Sequence, residues 1–217
     1  MSSNGFPANR FLVVFDVDST LIEDEVIELL ADAAGKRAEV KAITDSAMAG
    51  ELDFAQSLAA RVSMLNGVPE TAIREAFERV TVTRGARELI SAVHLAGGKV
   101  AAVSGGFIQI LEPLAKLLEL DFYRANELGV ENGLLTGKTL GQIVTSDVKA
   151  ESLSEWAAEL GLKPAQTIAV GDGANDLEMM RVAGLGVAFN AKPIVRQTAD
   201  LVISGDSLES LIAILPR

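Results

Sequence analysis

The sequence predicts an α/β protein: a doubly wound parallel sheet with a small four-helix cap inserted after its first strand. Three observations carry this. Phe11-Leu12-Val13-Val14-Phe15 is an unbroken apolar run, as expected of a strand buried on both faces. Residues 24–80 show helical periodicity and no convincing strand. From residue 84 onward helix and strand patterns alternate, which implies parallel strands joined by right-handed crossovers. The expected division is an α/β core of residues 1–22 and 80–217 and a helical cap of residues 23–79.

The elements follow in order. Val26, Ile27, Leu30 and Ala34 recur at helical spacing, and Gly35 supplies a stop. Val40, Ile43, Ala47 and Met48 continue the period as far as Gly50. Phe54, Leu58, Val62 and Leu65 form the clearest stripe, and Ile73 and Phe77 mark a fourth helix after Pro69. A helix over 86–96 ends at Gly97-Gly98, followed by a strand at 99–103 and a loop at Ser104-Gly105-Gly106. Pro113 should kink the next helix or restart it. Asn132-Gly133 signals a hairpin with arms at 128–130 and 134–136. A helix over 149–160 carries Leu153, Trp156 and Leu160, read as core. Strands at 167–170, 186–189 and 201–203 complete the set.

Composition narrows the function. The 217 residues suffice for one full core, or a core and a small second domain, and 49% are hydrophobic. No apolar run approaches 18 residues, so no membrane span is expected. A net charge of −11 argues against nucleic acid or an anionic membrane as partner. The absence of cysteine excludes thiol catalysis, disulfides and cysteine-held metal. His94 is the only histidine and lies in a helical pattern, so it reads as structural. Residues 1–7 read as a loose tail and not a signal peptide; a cytoplasmic location is expected. No protein partner is implied.

Three loops follow buried strands: Asp16–Thr20, Ser104–Gly106 and Gly171–Asp176. In a parallel sheet they share one edge, where such folds bind ligands. Asp16 and Asp18 are two residues apart and point the same way from an extended chain. Two carboxylates so placed need a cation or a shared proton to offset them, and a hard divalent cation such as Mg2+ is the natural partner. Ser104 stands beside two glycines, which let backbone N–H groups approach an anion. This set suits phosphoryl transfer: one carboxylate attacks phosphorus, and a second protonates the leaving oxygen and then activates water. Lys149 is a candidate for neutralising the phosphoryl oxygens, although a lysine at a helix start is commonly a solvated surface residue.

Asp16-Val17-Asp18-Ser19-Thr20 resembles the DxDxT motif of the haloacid dehalogenase superfamily of phosphatases. Ser104, Lys149 and Gly171-Asp172-Gly173-Ala174-Asn175-Asp176 fall in the order of that superfamily's remaining motifs. From residue 11 to the C-terminus the chain is most similar to the phosphoserine-hydrolysing family, through Asp16–Leu21, Glu25, Phe54 to Arg61, Ser104–Phe107 and Gly171–Asp176. The resemblance implies a Rossmann-like core with a helical cap. It implies Asp16 as nucleophile and Asp18 as general acid and base. Mg2+ would be held by the Asp16 side chain, the Asp18 carbonyl and Asp172, with Asp176 supporting them from behind. Ser104, Lys149, the Gly105 backbone and Asn175 would meet the phosphoryl group. Glu25 would meet a substrate ammonium, Arg61 a substrate carboxylate, and Phe54 would close over the site.

Phe54 and Arg61 are seven residues apart and share a helix face, which supports that pair. Taken alone, Arg61 is equally an arginine lying along an apolar face, Glu25 a favourable first-turn acid, Ser104 a helix cap and Phe54 a core residue. The implied reaction is hydrolysis of O-phosphoserine to serine and phosphate, the last step of serine synthesis. The alternatives are another small phosphomonoester, transfer to an alcohol such as homoserine, or a silent binding domain on the same fold. Only residues 1–10 precede the first strand, so feedback through an N-terminal regulatory domain, as many members have, is not expected.

Overall fold

The computed structural model describes residues 11–48 and 51–216. The expected N-terminal tail and the helix stop at Gly50 lie outside the described residues. Seven strands form one sheet in the order β4-β3-β2-β1-β5-β6-β7. They are β1 (Leu12–Phe15), β2 (Lys99–Phe107), β3 (Phe122–Glu131), β4 (Leu134–Leu140), β5 (Thr167–Gly171), β6 (Leu185–Phe189) and β7 (Leu201–Ile203). All neighbouring pairs are parallel except β3 with β4.

β1 is buried on both faces, and its alternate side chains enter two separate cores. Val13 and Phe15 pack with Val100, Ala102 and Val170 on one side. Leu12 and Val14 pack with Ala101, Val103 and Ala169 on the other. This is the period-two geometry of an extended chain sandwiched between helix layers. Registers place Phe15 level with Ala102 on β2 and Val170 on β5. Asp16 and Asp172 therefore leave the sheet, and Ser104 stands on β2, within one or two residues of the same level, where the chain order reverses.

The insert after β1 holds α1 (Val26–Ala33), α2 (Arg37–Met48), α3 (Phe54–Ser63) and α4 (Thr71–Glu78). Asp53 starts α3 by accepting the Gln56 N–H at 2.8 Å. The buried Leu58 and Val62 face the core from α3, and truncating either would cost about 2–4 kcal/mol. The two linkers of the insert pair with each other. Ile22 and Val82 form an antiparallel bridge, with Glu23 N–H on the Thr81 carbonyl and Thr83 N–H on the Leu21 carbonyl.

The remaining helices are α5 (Ala86–Leu95), α6 (Ile108–Leu118), α7 (Ser146–Glu159), α8 (Leu177–Val182) and α9 (Pro193–Thr198). Trp156 is buried and stacks on Phe122, as its place in the stripe implied. His94 meets Asp121 at 2.9 Å, away from the sheet edge that carries the motifs. No helix among the described residues is long and apolar enough to cross a membrane.

Three expectations are corrected. Ser104–Gly106 is not a loop but part of β2, extended through a register shift between Val103 and Phe107; a bulge there re-aims the strand end. α6 does not restart at Pro113 but continues past it as one helix, because Ile110, Leu111, Leu114, Ala115 and Leu118 anchor it on both sides of the missing N–H. α7 begins at Ser146 because Thr145 Oγ1 accepts the Val148 N–H at 3.4 Å, which puts Lys149 at the end of the first turn. The hairpin forms as expected, with Asn132 and Gly133 at φ 53° and 76°.

Candidate active site

A buried charge cluster lies at the end of β1. Lys149 is 0% exposed, and its ammonium donates to Asp16 Oδ1 and, at 2.8 Å, to Asp176 Oδ1. The other Asp176 oxygen accepts the N–H groups of Asp172 and Gly173, each at 3.1 Å. Carboxylate oxygens of Asp16, Asp172 and Asp176 all lie within 4.8 Å of one another. Burial, then the neighbouring Asp176 carboxylate, pushes Asp16 up to about 7, against the pull of Lys149. Burial, then Asp16 and Asp176, raises Asp172 well above the carboxylate range. Lys149 titrates above its ordinary value: burial disfavours its charge, but Asp16 and Asp176 outweigh that. Three carboxylates crowded in this way, with Lys149 paired to two of them, are an anionic pocket suited to a divalent cation.

Asp18 faces the same space from one turn along. Its Oδ1 accepts the Val26 N–H at 2.8 Å, and its Oδ2 accepts the Ser104 hydroxyl at 3.1 Å. Burial raises its pKa, opposed by those two donors. Ser104 Oγ in turn accepts the Gly106 N–H at 2.8 Å. A Cβ at Gly106 would stand 2.7 Å from Asp18 Oδ2, so the close approach requires glycine.

The insert closes over this end of the sheet. One cavity is lined by Asp16, Asp18, Gly105, Gly106 and Asn175 from the core side and by Glu25, Ile27, Phe54, Leu58 and Arg61 from the insert. Glu25 accepts the Ser19 hydroxyl at 2.8 Å, Ser19 being held in the left-handed region at φ 57°. Burial, then Asp18, pushes Glu25 up to about 8. Arg61 is 2% exposed; its Nε donates to the Ser57 carbonyl at 3.2 Å and its Nη1 to Thr44 Oγ1 at 3.1 Å. Among the described residues its Nη2 has no partner, and neither has the buried Asn175 Oδ1. Phe54 is partly buried: it packs on the core and its ring also covers Gly105, where a Cβ would sit 2.5 Å from Cζ.

The fold thus brings all the sequence-derived candidates to one sheet edge. Ser104, Lys149, Asp172 and Asp176 do not line the cavity. Lys149 and Asp176 back Asp16, and Ser104 backs Asp18. Sequence reasoning missed two residues that hold the site in shape. Asn126, 1% exposed on β3, donates to the Gly105 carbonyl at 2.8 Å and accepts the Val144 N–H at 2.8 Å. Its signal was an asparagine, a poor strand former, within a strand. The other is Thr44, whose hydroxyl sits in the helical stripe between Val40 and Ala47.

The haloacid dehalogenase-like hydrolase family matches residues 13–181. The phosphoserine phosphatase of Streptococcus thermophilus is 51% identical over 204 residues, covering 94% of this chain and 95% of that protein. That of Lactococcus lactis is 45% identical, with 97% of each chain covered. A Mycobacterium tuberculosis relative is 49% identical, but the match spans only 50% of it. Among solved structures, a phospho-aspartyl intermediate analogue of phosphoserine phosphatase superposes with a TM-score of 0.94 at 41% identity, covering 96% of this chain and 100% of that one. A substrate-bound phosphoserine phosphatase complex gives 0.93, also at 41% identity, with 96% and 99% covered. The chain belongs to the haloacid dehalogenase-like hydrolases and, within them, to the phosphoserine phosphatase family.

Proposed function

We propose that this chain hydrolyses O-phosphoserine to serine and phosphate, the last step of serine synthesis, with Mg2+ as its metal and an aspartyl phosphate on Asp16 as its intermediate. One observation carries the reading: Asp16 and Asp18 open onto the same cavity as Glu25 and Arg61. The first pair supplies the chemistry. The second presents one acid and one base, matched to the ammonium and carboxylate of an amino acid.

A carboxylate oxygen of Asp16 attacks phosphorus as the bond from phosphorus to the serine oxygen breaks. Asp18, whose raised pKa suits a proton donor, gives its proton to that oxygen. Asp18 then takes a proton from water as the water oxygen attacks the phosphoryl group. The acyl phosphate bond breaks, returning Asp16 as carboxylate and releasing phosphate. Lys149 holds Asp16 in its attacking orientation and balances its charge. Asp16, Asp172 and the Asp18 carbonyl would hold Mg2+, with Asp176 behind them, since both of its oxygens are already engaged. When bound, the metal would offset negative charge between Asp16 and the phosphoryl oxygens. The Gly105 backbone, Ser104 and Asn175 would meet the phosphoryl group, Gly105 and Asn175 from the cavity wall and Ser104 from beside Asp18, and Phe54 would cover it. Residues 23–79 act as the lid that selects the leaving group, and the enzyme works in the cytoplasm.

The test is phosphate release from O-phospho-L-serine and a panel of other phosphomonoesters, with Mg2+ and with a chelator. Preference for phosphoserine and dependence on the metal are expected. Equal turnover of the panel would overturn the substrate assignment.

A further inference from the structure

We infer that Thr44 is a positioning residue that sets the preference for a carboxylate-bearing substrate, acting through Arg61. The inference rests on the reading of Arg61 as the carboxylate-binding cation. Thr44 lies on α2, 2% exposed, on a buried stripe with Val40 and Ala47. An aliphatic side chain would serve packing at such a position. The hydroxyl does something else: it donates to the Val40 carbonyl at 3.0 Å, so its hydrogen is committed along the helix. Its oxygen is then an acceptor only, and the group it accepts is Arg61 Nη1 at 3.1 Å.

Arg61 is therefore gripped from two helices, at Nε by its own α3 through the Ser57 carbonyl and at Nη1 by α2. A guanidinium is planar, so fixing two of its nitrogens fixes the direction of the third. That third nitrogen, Nη2, is buried and without a partner among the described residues, in a residue that lines the cavity. A buried N–H donor left unpaired costs free energy, so this donor is kept for a ligand. Glu25 and Asp18 are the acidic groups whose charge reaches the guanidinium, and neither takes a direct hydrogen bond from it. Without the Thr44 acceptor, Nη1 would also lack a partner, and the fork would be free to turn toward another one. A substrate carboxylate would then meet a cation of the same charge but undefined direction. Its bidentate capture depends on direction.

The experiment compares Thr44→Val, which keeps the shape and removes the acceptor, with Thr44→Ser, which keeps the hydroxyl. Each is assayed on O-phospho-L-serine and on O-phosphoethanolamine, which retains the ammonium and lacks the carboxylate. The expected result for Thr44→Val is a roughly tenfold fall in the ratio of kcat/KM for phosphoserine to that for phosphoethanolamine, arising in KM. Thr44→Ser should restore most of the ratio. Thr44→Ala also lacks the acceptor and gives the same reading if valine is not tolerated. An unchanged ratio in the acceptor-free variants, with or without equal losses on both substrates, overturns the inference and leaves Thr44 a clip between helices. A wild-type enzyme without preference for phosphoserine overturns the substrate reading and this inference together.

Discussion

Asp18 accepts the backbone N–H of Val26 at 2.8 Å and so caps the first helix of the insert with a side chain from the β1 loop. The proposed acid and the lid are thereby joined by one hydrogen bond. The helix terminus also favours the anionic form of Asp18, which must exist when water is activated. Asp18→Asn keeps an oxygen for the cap and loses the proton. Turnover should drop by about 10²- to 10⁴-fold with the melting temperature nearly unchanged. Asp18→Ala should lose both, with a stability cost of about 1 kcal/mol for the cap. Phosphate release and thermal melts on the two variants separate the roles. An Asp18→Asn variant with wild-type turnover would remove Asp18 from the chemistry.

Lys149 is the counter-charge of a cluster that excludes water. Replacing it by methionine leaves Asp16 and Asp176 buried without their cation. A broken buried pair of this kind costs about 3–5 kcal/mol, so Lys149→Met should unfold at markedly lower urea concentration. Protonation of the orphaned carboxylates relieves the penalty, so the deficit should shrink as pH falls. A variant as stable as wild type at pH 7 would show that the buried carboxylates do not need Lys149 as their counter-charge.

What could be read in the sequence follows from where the physics is local. β1 and β5 were legible because burial on both faces writes an unbroken apolar run. The N-terminal half of β3 was not, since Arg124 and Asn126 interrupt any apolar alternation. Their partners are distant: Arg124 donates to Ser152 Oγ at 2.8 Å and lies over Trp156, 5.6 Å from the ring centre. The carboxylates were legible because Asp16 and Asp18 share a strand end and Asp172 sits in a matching loop. Thr44 and Asn126 escaped because neither residue type announces a partner 17 or 21 positions away. Pro113 does not start a new helix because propensity is weaker than a helix face anchored on both sides.

Metal-free protein should lose stability as pH rises. Asp16 and Glu25 titrate at about 7 and about 8 when folded, above their unfolded values of 3.8 and 4.5. Between the unfolded and folded values the native state holds the extra proton, so the slope of stability against pH is negative. Asp32 and Asp121 are shifted down and act oppositely, but only in acid near and below their ordinary range. Melting temperature in chelator should therefore decline from about pH 5 to pH 8. Glu25→Gln should flatten the decline, and Mg2+ should raise the melting temperature more at pH 8 than at pH 5. A profile that rises with pH in chelator would contradict the burial of these acids.

Asn126 ties the bulged end of β2 to the segment that leads into α7. Its amide donates to the Gly105 carbonyl on the β2 bulge and accepts from Val144, just ahead of α7 and Lys149. It is 1% exposed within the sheet, which keeps both bonds away from solvent. Asn126→Leu removes both bonds and leaves the buried Val144 N–H unpaired, at about 1–3 kcal/mol, and the half-buried Gly105 carbonyl without its partner. The bulge and the start of α7 then lose their common reference. Phosphate-binding groups on the two should misalign by fractions of an ångström, lowering kcat for phosphoserine and phosphoethanolamine alike, because both carry the same phosphoryl group. Asn126→Asp keeps the acceptor for Val144 and loses the donor to Gly105. It should retain the α7 contact yet still lose turnover, which isolates the Gly105 peptide as the sensitive half. Steady-state kinetics on both substrates, with urea unfolding of both variants, distinguishes this from general destabilisation. Variants that are less stable but turn over normally would make Asn126 a fold residue alone.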